Sequence, residues 1–417
     1  MQTSHSTVAS DEKLNLREQA FPLYAAAKTV GAVGLVATII IGFLTDRTFE
    51  RFFYAYLVAY GFFLALALGG LFFVLIQHVT KAAWSVNVRR IAEWLCGALP
   101  VVCALSAPIF IAIILHNGFL YRWNVAGWAG DHPRFKIIYL NPVFFIFRMV
   151  IDFVAWSLMG VWYAKQSAKQ DTSGDANITR KMQMYAPICT VIYGLTVTLA
   201  AFDLFMTLDP DWDSTIFGVY FFAGAMVTVF SFIILAALLL QSRGFLRESI
   251  TIEHYHDLGK FLFAFTFFWG YIGFSQYMLQ WYGNMPDETH WWKTRGASTA
   301  DPNGYSPVLI ALLLGHVLFP MAFLLSRHVK RTPKVLAFAA AWLMFFELLD
   351  LFWIVTPEYA AGRLDAHDIF VWIVTIVPAF VGIGGVVLAV VVRKAANNAL
   401  RPLGDPRLVD SMSFENV

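Results

Sequence analysis

The sequence predicts an all-α polytopic membrane protein with ten transmembrane helices, and three observations carry that prediction. Of the 417 residues, 59% are hydrophobic and only 14% charged, against roughly 25% charged in a soluble domain. The apolar residues gather in long runs, close to the roughly 20 that a helix needs to cross the hydrocarbon core. The few polar residues inside those runs recur in a pattern. With 17% aromatics and a mean hydropathy of +0.62, the composition excludes a water-soluble enzyme and a disordered chain. A net charge of +2 leaves no surplus for nucleic acid.

The runs lie near residues 29–45, 52–77, 91–115, 143–164, 183–208, 216–240, 258–280, 307–326, 334–355 and 370–392. Backbone groups must be satisfied internally within lipid, so each run reads as a helix. Ten crossings put both termini on one side. Of the 30 lysines and arginines, 20 fall in the tails and connections of that side and 8 in the opposite connections. Basic residues stay inside, so residues 1–28 and 393–417 are expected to be cytoplasmic tails. Residues 1–28 are polar and mixed, with no cleavable signal, and the first helix is expected to serve as its own insertion signal. Asp209, Asp211, Asp213, Asp287 and Glu288 should then form an acidic external face.

Two external connections, about 116–142 and 281–306, are rich in aromatics: Tyr121, Trp123, Trp128, Trp281, Tyr282, Trp291 and Trp292. Such residues suit an interfacial belt or a docking surface for an external partner. Cys96, Cys103 and Cys189 each sit in an apolar stretch, with no CxxC and no CxxCH. Iron–sulfur clusters, attached c-type haem and structural zinc therefore lack ligands here. His316 alone cannot supply bis-histidine haem ligation, and His254 with His256 lacks a visible third metal ligand.

An internal repeat is the most informative feature. Asp203-Leu204-Phe205 followed by Pro210-Asp211-Trp212 recurs 147 residues later as Asp350-Leu351-Phe352 followed by Pro357-Glu358-Tyr359. Fainter echoes pair Tyr56 and Glu93 with Tyr220 and Asp257, and Asn141-Pro142-Val143 with Ser306-Pro307-Val308. The motifs lie four crossings apart, hence in the same orientation. This predicts two parallel-repeat four-helix bundles, spans 2–5 (residues 52–215) and spans 6–9 (residues 216–369), flanked by span 1 (29–51) and span 10 (370–392).

Each copy places a carboxylate inside an apolar helix. Proline ends a helix, so Asp203 and Asp350 sit about 10 Å below the outer helix ends at 1.5 Å per residue. A charge there is costly unless it faces a bundle interior, a partner or water. Such an acid is either a proton carrier or polar glue between helices. Glu347 lies on the same helix face as Asp350, and His316 lies mid-way along span 8. Arg148 and Asp152, spaced i,i+4, open span 4 from the outer side, as a local ion pair or as part of a group with His116 and Asp203. On the inner side, Glu93 opens span 3, and Glu253, His254, His256 and Asp257 open span 7.

Three stretches carry a family resemblance. They are Phe52 to His78 with Arg89-Arg90-Ile91-Ala92-Glu93-Trp94, Phe202-Asp203 through Thr215 to Phe221, and Ile252 to Lys260 through Phe274 to Tyr277. Over roughly residues 20–395 the chain resembles the ActF-type integral subunits of alternative complex III, in the NrfD/polysulfide-reductase membrane-subunit superfamily. The resemblance implies a cofactor-free ten-helix subunit of the bacterial inner membrane, within a complex that oxidises quinol and reduces cytochrome c or a terminal oxidase. It implies a sister ActC-type subunit, an iron–sulfur subunit, c-type cytochrome subunits and small membrane subunits as partners. The c-type haems and iron–sulfur clusters belong to those partners, and quinone or menaquinone is the ligand the family offers.

The expected function is a proton-translocating, quinone-contacting subunit, respiratory or photosynthetic. Asp203 with His116, Arg148 and Asp152 would be the outer proton acceptors of one bundle, and Asp350, Glu347 and His316 those of the other. Glu93, Glu253, His254, His256 and Asp257 would be entry groups on the cytoplasmic side. A proton-coupled secondary transporter also suits parallel repeats and buried acids. A passive anchor for external redox subunits suits the aromatic loops.

Overall fold

The computed structural model describes residues 12–46, 48–115, 118–125, 127–128, 132–360 and 362–415. Among them are ten helices long and apolar enough to cross a membrane: Gln19–Thr45, Glu50–Val79, Val86–Ile114, Pro142–Ser173, Ala176–Leu208, Phe217–Ser242, Ile252–Gly283, Ser306–Leu325, Pro333–Tyr359 and Ala366–Asn397, called spans 1 to 10. The protein is an all-α polytopic membrane protein.

Most helices outrun the apolar stretches that announced them. The helix that holds span 1 begins at Arg17 rather than near 29, because Ala25-Ala26-Ala27 favours helix and Lys28 can reach water from a helical turn. The N-terminal tail is therefore shorter than 1–28. Span 10 likewise runs to Asn397, past residue 392. Span 4 opens at Asn141, whose Oδ1 accepts the Val143 and Phe144 amides at 3.0 and 3.3 Å. It closes at Gly174, at φ 63°, a left-handed cap that glycine takes without strain.

Spans 3 and 8 are interrupted well within their length. Span 3 comprises Val86–Cys96, Leu99–Ala104 and Ala107–Ile114, with Pro100 and Pro108 at the starts of the second and third pieces, where a missing N–H costs nothing. Span 8 contains a π-helical turn, Leu313–Leu318, between α-helical Ser306–Leu312 and Phe319–Leu325.

Span 2 is the centre of the molecule, with 89% of its most apolar stretch buried by protein. It packs against spans 3, 5, 6, 9 and 10, while span 6 packs against spans 2, 5, 7 and 9. Spans 1 and 10 pair through small residues: a Cβ on Gly34 would lie 2.6 Å from Gly382. That close approach is how helices associate where lipid removes the hydrophobic drive.

In the connections between spans 3 and 4 and between spans 7 and 8, most of the described aromatics are packed inside the protein. Tyr121, Trp123, Trp291 and Trp292 are buried, and of the seven aromatics only Tyr282 is mostly exposed. They are consumed by internal packing. Trp291 stacks on Trp212 at 4.0 Å, Trp292 Nε1 donates to Gln280 Oε1 at 2.7 Å, and Tyr121 Oη donates to the Leu204 carbonyl at 3.1 Å.

On the face that carries the termini, both tails are tied to the bundle. Arg401 donates to Glu12 at 3.1 Å and to Ser249 at 2.6 Å, and Asp405 accepts from Arg89 at 2.7 Å.

Candidate functional site

Glu347 and Asp350 lie three residues apart on span 9, and both are buried. Asp350 accepts a hydrogen bond from Tyr220 Oη of span 6 at 2.5 Å. It also borders a cavity of about 700 Å³, within the range typical of small-molecule sites. The walls are largely aromatic: Phe217 and Tyr220 from span 6, Trp269 and Tyr277 from span 7, Trp291 from the connection after it, and Trp353 from span 9. Phe274, Ile310 and Leu313 also line it and are exposed on the bundle surface. The cavity thus reaches the bundle surface between spans 7 and 8, at exposed apolar side chains.

His316 rides on the π-helical turn of span 8, an interruption that recurs at functional sites. Its ring stacks on Trp269 at 3.9 Å. Its Nε2 is 3.8 Å from Glu347 Oε2, beyond hydrogen-bond reach. Both ring nitrogens and Glu347 Oε2 are buried without a protein partner among the described residues. Gly224 of span 6 makes room for Glu347, since a Cβ there would strike its carboxylate. Asp350, Glu347 and His316 are thus together, as the sequence proposed.

The first copy is arranged differently. Arg148 holds Asp203 with two bonds, Nε to Oδ2 at 2.9 Å and Nη2 to Oδ1 at 2.7 Å. This is the bidentate geometry that makes such pairs strong. The same guanidinium donates to the Tyr139 carbonyl at 3.0 Å and lies over the Tyr139 and Phe144 rings at 3.9 and 4.4 Å. Arg148 therefore spends its charge across helices on Asp203 and not on its i,i+4 neighbour Asp152. Asp152 is buried nearby, with Oδ2 lacking a protein partner among the described residues. His116 lies outside the described residues.

The second halves of the two motifs converge. Asp209, Asp211, Pro357 and Glu358 line one smaller cavity of about 230 Å³ with Arg122, Asp287 and His290. Glu358 pairs with Arg295 at 2.9 Å and with Arg122 at 3.5 Å. Burial, together with the Glu358 charge, pushes the Asp209 carboxyl above its usual range.

On the tail face, Glu93 takes Arg89 at 3.0 Å and Arg90 at 3.2 Å. Glu253 pairs with Arg331 and Asp257 with Lys260. His254 Nδ1 accepts the Thr251 amide at 3.1 Å, and Nε2 lies 3.3 Å from the Ser411 hydroxyl. His256 is buried, with Nδ1 unpartnered among the described residues. Glu253 and Asp257 both lie within electrostatic reach of His254, and Asp257 within reach of His256.

Sequence reasoning missed Tyr220, Trp269, Gly224 and Arg295. Tyr220 carried a signal, as the echo of Tyr56, whereas the others read as ordinary helix or loop residues. A scan of protein-family models gives no match to the chain, and no curated protein matches its sequence.

Proposed function

We propose that the chain is a proton-handling membrane subunit of a quinol-oxidising electron-transfer complex, in which the cavity at Asp350 receives the quinol ring. The observation that supports this most is a carboxylate on the wall of an aromatic, ring-sized cavity that reaches the bundle surface at exposed apolar side chains. A quinol diffuses within the bilayer, so an opening at an apolar surface suits its tail and flat aromatic walls suit its ring.

On this reading, the two quinol hydroxyls give up their protons in turn to an Asp350 oxygen, which passes the first to Glu347 before taking the second, while the two electrons leave for a redox centre in a partner subunit. Tyr220 orients Asp350 through its hydrogen bond. Glu347 and His316, one helical turn deeper, hold the proton next. General-base transfer needs groups within hydrogen-bond reach or one water apart, and the 3.8 Å gap between His316 and Glu347 suits a bridging water. Asp203, held by Arg148, braces spans 4 and 5. The termini are cytoplasmic in this reading, and the haem and iron–sulfur partners dock on the opposite face.

The test is the complex reconstituted in proteoliposomes, with wild type compared with Asp350→Asn. The expected result is slower quinol-dependent turnover with fewer protons moved per electron, and lost labelling of spans 7 to 9 by a photoreactive quinone analogue. Unchanged stoichiometry, turnover and labelling would overturn the reading. Solute uptake by the isolated chain in vesicles would replace it with a transporter.

A further inference from the structure

The end of span 2 on the tail face holds a second polar centre, remote from Asp350 because spans 2 and 9 run from opposite faces. His78 is fully buried, and neither ring nitrogen has a protein partner among the described residues. The same is true of Gln77 Oε1, Ser85 Oγ and Ser167 Oγ, and Glu93 Oε2 receives no hydrogen bond there although Arg90 lies 3.2 Å away. These groups lie toward the tail-face ends of spans 2, 3 and 4. The Tyr163 ring lies 5.5 Å from His78, Ser167 follows one turn later on the same face of span 4, and Arg89 and Asp405 lie within electrostatic reach of His78.

A buried donor or acceptor left unmade costs its full desolvation. So many in one place would cost more than a folded chain can spare. Ordered water, making two to four hydrogen bonds apiece, is how proteins satisfy such clusters. We propose that this end of the bundle encloses a water cluster that hydrates His78. The C-terminal segment forms its cover: Asp405 accepts from Arg89 at 2.7 Å and Arg407 donates to the Ala82 carbonyl at 3.2 Å. Hydration of His78 stands or falls independently of what the Asp350 cavity binds.

Hydroxyl-radical labelling of the full chain in lipid nanodiscs, read by mass spectrometry, tests this directly, because internal water generates radicals where it sits. His78 and Tyr163 are expected to label about tenfold faster than Trp156, which is equally buried but has its N–H taken by Thr196 at 2.8 Å. Ser167→Leu, which fills space beside Tyr163, is expected to cut labelling at His78 and to leave Trp156 unchanged. Rates at His78 and Tyr163 no faster than at Trp156 would overturn the proposal. So would undiminished His78 labelling in a folded Ser167→Leu protein.

Discussion

Asp203 and Asp350 occupy matching places in a repeated motif, yet their surroundings are opposite in kind. Asp203 is gripped at both oxygens by a guanidinium that is itself buried among aromatic rings. Asp350 has a neutral hydroxyl for a partner and a cavity beside it. An ion pair fixes a carboxylate in its charged form, whereas a tyrosine hydroxyl leaves the proton count free to change. The same acid is therefore ion-paired in one copy of the motif and hydrogen-bonded beside a cavity in the other, according to whether an arginine stands across from it.

The sharpest way to break this contrast is Asp203→Asn. It strands Arg148 in a buried site, at a cost of about 3–5 kcal/mol. Thermal unfolding in detergent should show that loss, and Arg148→Met in the same chain should restore most of it. A stable Asp203→Asn protein would erase the distinction. Next in size is Gly224→Ala, whose added methyl meets the Glu347 carboxylate. Overpacking of this kind costs about 1–3 kcal/mol, and quenching of Trp269 fluorescence should change as His316 and Glu347 are displaced.

Asp350→Asn should be gentler on the fold, within about 1 kcal/mol, because the Tyr220 hydroxyl can still donate to an amide oxygen. Its effect should fall on affinity, with about a tenfold weaker titration by a quinone analogue, equivalent to about 1.4 kcal/mol. Equal affinity in the variant would remove Asp350 from the site.

The smallest effect concerns a third carboxylate, in the C-terminal tail. Burial alone would raise the Asp405 carboxyl, but Arg89 and Arg407 more than offset it and hold it below the usual carboxylate range. With the folded value depressed, the stabilisation is complete above the ordinary value near about 4 and is lost as pH falls through the folded value. The tail should resist proteolysis at pH 7 and at mildly acidic pH, and release only below about pH 4. Asp405→Asn should release it at neutral pH. Release of the wild-type tail at mildly acidic pH would contradict the pairing.

Much of the fold was legible because the bilayer imposes a simple length rule, and all ten apolar runs became spans. Helix ends were less legible, since the polar turns at Arg17 and Ser173 remain helical for reasons of propensity and capping, not hydropathy. The packing of the aromatic connections was illegible for a related reason: composition marks Trp291 and Trp292 as amphipathic but cannot say that Trp212 and Gln280 will cover them. At the site, the repeat and the i,i+3 spacing singled out Asp350 and Glu347. Gly224 and Trp269 escaped notice because a glycine or a tryptophan in an apolar helix is ordinary until its neighbour is known.

The sequence by itself determined that this chain lives in a membrane as ten helices and that two acids recur at equivalent depth. Hydrophobic length and motif spacing are properties of the chain alone. Only the tertiary structure decided that Arg148 reaches Asp203 in place of Asp152, and that Asp350 meets Tyr220 and a cavity. Those outcomes depend on which helix faces turn toward each other, and in a low-dielectric interior the identity of the nearest partner sets what a carboxylate can do.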